Sequence, residues 1–206
     1  MAKSWLKILH LCGGCFLVVA LLSGCTTTYV PLSYGPQINV KPVTGAGAVT
    51  VRVEVTDARA TQKDRIGAVM ADGGVETGVI LTTNDVAGFL KNVIETELTS
   101  RGFSLGGSNV VVAAQLSAFD TYLVHEGGLL VAAATGRVTM NVQVKRADGS
   151  KVFEKSVAGL CTGRDVSIWG KRDKIRAGVD LALQDAMTQL FDDEAFADAL
   201  LKAAKP

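Results

Sequence analysis

The sequence is poor in the residues that carry nucleophilic and metal chemistry. It holds 2 histidines, His10 and His125, and 4 cysteines among 206 residues. A single histidine in the folded part makes no zinc site of the usual kind, and a catalytic nucleophile needs a base beside it. Charge of one sign is also missing: 21 basic residues face 20 acidic ones. Nucleic acid calls for a basic patch, so it is not an expected partner. The same balance argues against an electrostatic hold on an anionic lipid surface. Proline is scarce as well, and Pro31, Pro36 and Pro42 are three of the 4 in the chain. No Gly-Lys-Ser/Thr follows any glycine pair, so there is no phosphate loop.

The amino-terminal stretch is rich where the rest is balanced. Lys3 and Lys7 precede an apolar run, Ile8 to Leu22, which ends in Ser23-Gly24-Cys25. A basic start, an apolar middle and a small-residue end are the parts of a secretory signal. The run is broken by Gly13-Gly14 and falls short of the roughly 20 apolar residues of a membrane span. Leu22-Ser23-Gly24-Cys25 resembles a bacterial lipobox, which implies removal of residues 1–24 and acylation of Cys25. Several acyl chains give durable anchoring where one holds marginally. Thr26, rather than Asp, follows the cysteine; by resemblance to sorting signals this implies the outer membrane, facing the periplasm. Removing 24 of 206 residues leaves 182, with 19 basic and 20 acidic, a formal net of −1. Cys12 and Cys15 read as Cys-x-x-Cys, but both lie in the discarded signal. Cys161 is then the one remaining thiol, which forbids an internal disulfide and is expected to pack as a small apolar residue.

Residues 25–48 are expected to be the lipidated cysteine and an extended tether, because proline and small polar residues build no core. Residues 49–206 are expected to form one periplasmic domain. Val49, Val51, Val53 and Val55 alternate with polar residues and read as a strand. Residues 60–78, with Gly67, Gly73, Gly74 and Gly78, read as a loop. Val86, Phe89, Leu90, Val93, Ile94 and Leu98 form one helical stripe, capped near Asp85 and stopped by Gly102. Residues 109–119 and 138–145 read as strands, and Asp148-Gly149 as the hairpin turn to a partner strand over 151–159. Residues 172–190 form a second long helix, and Asp192, Asp193 or Glu194 caps a short terminal one. The expected fold is α+β: a mainly antiparallel sheet of about four strands with two long helices packed on one face.

Three segments together resemble the YajG-type lipoproteins. They are Val51-Arg52-Val53-Glu54-Val55-Thr56-Asp57-Ala58-Arg59, then Arg65-Ile66-Gly67, then Glu97-Leu98-Thr99-Ser100-Arg101-Gly102-Phe103. The order of the later strands and the lipobox fit the same pattern. The resemblance implies an outer-membrane lipoprotein with no catalytic residues to carry over.

Site candidates are few. Asp57 and Arg59 end a strand and read as a salt bridge or turn cap, or alternatively as a ligand-binding pair. His125 and Glu126 read as solvent-facing loop residues. Leu129, Leu130 and Val131 open an apolar run to Ala134, either a covered strand or a patch meeting a partner or the membrane surface. Trp169 precedes the basic helix start Lys171, Arg172, Lys174 and Arg176, which is a solvated face or a site for anionic envelope material. Leu129, Leu130, Val131, Trp169 and Arg172 are thus the candidate partner-binding residues. No catalytic, metal or cofactor residue is assigned. The expected function is non-enzymatic binding of an envelope protein or glycan by a lipid-anchored domain. A cell-wall enzyme or a carrier of small ligands is the alternative.

Overall fold

The computed structural model describes residues 26–205, except 39, 61, 72, 108, 126–130 and 168–170. The elements are β1 (Thr26–Tyr29), β2 (Thr50–Asp57), β3 (Arg65–Met70), β4 (Glu76–Leu81), α1 (Val86–Ser100), β5 (Ser104–Leu105), β6 (Val110–His125), β7 (Val131–Arg146), β8 (Lys151–Ser167), α2 (Lys171–Phe191) and α3 (Glu194–Ala203).

The 16-residue strand β6 sets the topology. One edge pairs antiparallel with β7, from Val110 opposite Arg146 to His125 opposite Ala132. The other edge is shared end to end. Val51 to Asp57 of β2 run parallel to Val110 to Leu116, and Gly67 to Met70 of β3 run parallel to Thr121 to Val124. The chain takes ten residues from Asp57 to Gly67 where β6 takes five from Leu116 to Thr121, and the surplus loops out. β4 pairs antiparallel with β3, β1 parallel with β4, β5 parallel with β2 and β8 antiparallel with β7. The result is one mixed sheet of 8 strands.

This overturns the expected α+β fold of about four mainly antiparallel strands with two long helices. Among the described residues the sheet is mixed, with 8 strands, and there are three α-helices, one of them short. The physical reason lies in glycines read as loop. A Cβ at Gly67 would lie 1.8 Å from the Thr121 carbonyl oxygen, and one at Gly78 would lie 2.7 Å from the Thr26 carbonyl oxygen. Both are strand positions where a neighbouring backbone comes too close for a side chain. Residues 26–29 form the eighth strand, and a single 3-10 turn over Ala46–Ala48 leads into β2. Val30 and Leu32, between the two, are buried.

The helices lie where their apolar spacing puts them. Val86, Leu90, Val93, Ile94 and Leu98 of α1 are buried, and the Asp85 carboxylate accepts from the Ala87 N–H at 3.1 Å to cap it. In α2, Ile175, Val179, Leu183, Ala186, Met187 and Leu190 are buried against β6, β7 and β8. The sheet's inward residues, such as Val53, Val112 and Val144, join them in one core. On the outward face Arg52, Glu54 and Gln115 stay exposed. α2 approaches β7 and β8 at backbone distance. A Cβ at Gly136 would lie 2.2 Å from the Gly178 carbonyl oxygen, and one at Gly159 would lie 1.9 Å from the Ala182 carbonyl oxygen. Small residues on both sides let the helix sit this low.

Gly159→Ala forces backbone against backbone, an overpacking that costs about 1–3 kcal/mol. It should lower the thermal midpoint by about 2–12 °C. Gly47→Ala, where nothing lies within 4 Å, should leave it nearly unchanged. Equal melting of the two variants by circular dichroism would contradict this packing.

Candidate functional site

The most heavily committed charges lie where residues 34–37 cross the end of α1. Glu97 is fully buried and Arg101 is 5 % exposed. An Arg101 Nη1 donates to Glu97 Oε2 at 2.5 Å and to the Glu97 carbonyl at 3.1 Å, while Nη2 donates to Gln37 Oε1. The other Glu97 oxygen accepts from the Tyr34 hydroxyl at 2.5 Å and from the Gln37 backbone N–H at 3.1 Å. The guanidinium also sits 4.4 Å from the ring centroid of Phe191 at the end of α2. One ion pair therefore joins the amino-terminal segment, α1 and α2. Removing one member of such a buried pair costs about 3–5 kcal/mol, because its partner is left charged and dry.

Arg101 forms part of the floor of an open cleft of about 700 Å³. Ile38, Lys41, Thr188, Phe191 and Asp192 line it. Ile38 is 87 % exposed on its lip. The guanidinium charge in the floor is already spent on Glu97 and Gln37. What the cleft offers a ligand is therefore its outer groups: Lys41, Asp192 and Glu194, the hydroxyl of Thr188 and the apolar edges of Ile38 and Phe191. Sequence reading missed this site, because Glu97 and Arg101 look like ordinary polar positions off the α1 stripe. Their spacing of four, suited to an i,i+4 ion pair, was the available signal.

Asp57 and Arg59 form a bidentate pair, Nε to Oδ1 at 2.9 Å and Nη2 to Oδ2 at 2.7 Å. The same guanidinium donates to the carbonyls of Arg65 at 2.9 Å and Lys63 at 2.6 Å. Burial pushes the Asp57 carboxyl up, but the hydrogen bonds and charge of Arg59 outweigh it and bring it below the usual range. The pair fixes the loop between β2 and β3, which is the turn-capping role expected as the simpler reading. Cys161 is a free thiol, half-buried against the core. Among the described residues no group of three or more His, Cys, Asp or Glu is placed to hold a metal. Among them, too, no helix is long and apolar enough to cross a membrane.

Of the residues expected to bind a partner, Val131 and Arg172 fall in described elements. Leu129, Leu130 and Trp169 lie outside the described residues, as does Cys25. Val131 opens β7 opposite Ser167, the last residue of β8. Arg172 is exposed in the first turn of α2. His125 of β6, Val131 of β7 and Ser167 of β8 therefore lie at the same end of the sheet. The Arg101 cleft lies at the far end of α2, which at 21 residues is about 30 Å long.

Burial and the Glu97 carboxylate together push the Tyr34 hydroxyl well above its ordinary value near 10. Its proton is held more tightly in the folded state than in the unfolded chain. That contribution is complete below a pH of about 10 and is lost as the pH climbs above it. Tyr34→Phe should flatten the fall in stability between about pH 9 and 11 in denaturant titrations. An unchanged slope would show that the hydroxyl does not make this bond.

A family model described as an uncharacterized lipoprotein, Lipoprotein_16, matches residues 36–201. No curated protein matches the chain in sequence. The crystal structure of a Xanthomonas campestris protein of family model DUF330 is similar at a TM-score of 0.54 and 18 % identity, over 83 % of this chain and 96 % of that one. That of an uncharacterized protein is similar at 0.52 and 9 % identity, over 82 % and 99 %. At these identities the likeness shows the fold alone. A minor lipoprotein from Acinetobacter baumannii matches at 0.39 and 13 % identity, over 72 % and 91 %, which is too distant to argue from. With residues 36–201 spanned by its model, the chain belongs to the Lipoprotein_16 family of YajG-like uncharacterized lipoproteins.

Proposed function

We propose that this lipoprotein is held by acyl groups on Cys25 in the inner leaflet of the outer membrane. Its domain works without catalysis, by binding another component of the envelope in the cleft above Arg101. The observation that carries this reading is the state of the cleft's charged floor. Arg101 and Glu97 neutralise each other beneath it, and Ile38 stands exposed at its lip. A wide cleft with a neutralised floor, an apolar lip and charges of both signs around it suits docking of a chain or glycan better than activation of a bond. Family membership supports an envelope location, and Thr26 after the cysteine supports the outer membrane within it. Leu129, Leu130, Val131, Trp169 and Arg172 are kept in this reading as further partner-binding candidates on sequence grounds.

A photo-crosslinking residue at Ile38 should capture one envelope component in living cells, while the same residue at Leu160, exposed on the outward face of the sheet, should not. Equal capture at both positions, or turnover of cell-wall material by the purified protein, would overturn the proposal.

A further inference from the structure

β1 begins at Thr26, the residue after Cys25, and it begins inside the sheet. Thr26 pairs with Gly78, Gly78 with Val69, Val69 with Leu123, Leu123 with Ala134 and Ala134 with Arg164. One row of partners therefore crosses six strands from β1 to β8. Strand directions fix what lies on each side of the row. Toward residue 25 lie the ends of β3, β6 and β8 and the starts of β4 and β7. From β1 to β6 there are three strand spacings, about 14 Å.

We propose that this rim rests on the bilayer, so that the domain stands directly on the membrane with the Arg101 cleft turned toward the periplasm. The inference relies on acylation of Cys25 as given above. With no more than one peptide unit between the acylated residue and a hydrogen-bonded strand, no length of chain remains to lift the domain away. An acyl group there brings the rim to the surface. The rim is built for that contact. The β3–β4 turn is closed by the Ala71 N–H donating to the Val75 carbonyl at 2.8 Å, and it presents Val75, 62 % exposed. The first turns of α2 present Arg172, Lys174 and Arg176 against the single acid Asp173 among their described side chains, which pairs loosely with Arg176 at 3.9 Å. Glu76, beside Val75, is neutralised by Arg65 at 2.7 Å. The net charge of the whole chain is near zero, but among the described side chains this rim has a local positive excess, and anionic headgroups complement it. Sequence balance alone hides such an arrangement, because it averages over both ends of the molecule.

The test uses the mature, lipidated protein reconstituted into vesicles of phosphatidylethanolamine and phosphatidylglycerol. A fluorophore is attached at Val75→Cys or at Ile38→Cys, each in a Cys161→Ser background, and quenched by nitroxide-labelled lipid. The expected result is flotation with the vesicles and quenching at residue 75 several-fold stronger than at residue 38. Flotation with equal or reversed quenching overturns the rim contact and leaves the anchor standing. Failure to float removes the anchor, and the rim contact with it.

Discussion

A single strand holds the fold together. β6 gives one whole edge to β7 and divides the other between β2 and β3, so every remaining strand hangs on it directly or at one or two removes. Parallel pairing on one side and antiparallel on the other is why the sheet is mixed. It is also why β1, the last strand added beyond β3 and β4, ends up in register with the far end of β6. The position of β1 is therefore a consequence of how the sheet is built around β6.

Two further constraints divide the molecule into ends with different characters. The buried pair Glu97–Arg101 locks residues 34–37 onto α1 and brings Phe191 of α2 over the guanidinium. The glycines of β7 and β8 lower α2 onto the sheet and set its axis between the two ends. At one end of that axis lies a polar cleft with an apolar lip. At the other lie the first basic turns of α2 and the strand that follows the cysteine. A lipid on that cysteine would assign the second end to the membrane and leave the first free for a partner.

Much of this was legible in the residues. The stripes of α1 and α2 name their buried side chains almost one for one, because an amphipathic helix must put a 3.6-residue period against the core. The alternation over 138–145 and the Asp148-Gly149 turn place β7 and β8. Local pattern fails where the constraint is not local. Gly67 and Gly78 signal flexibility by composition, yet each is demanded by a backbone carbonyl from a distant strand. The tether reading of residues 26–48 rests on proline and small polar residues, which describe an extended chain whether it is free or docked. Glu97 looks solvated on a helical wheel, and only Tyr34 and Gln37, some sixty residues away, make it a buried anion. The rim is legible only after strand register is known, since it is assembled from five separate segments of chain.

The central claim is that this domain is fixed to a bilayer through its twenty-fifth residue. Intact mass and amino-terminal peptide analysis of the protein extracted from its native membrane tests it most directly. The account predicts a chain that begins at Cys25 and carries the added mass of a diacylglyceryl group and an amide-linked acyl chain. A chain that begins at Met1 with an unmodified thiol at position 25 would contradict it.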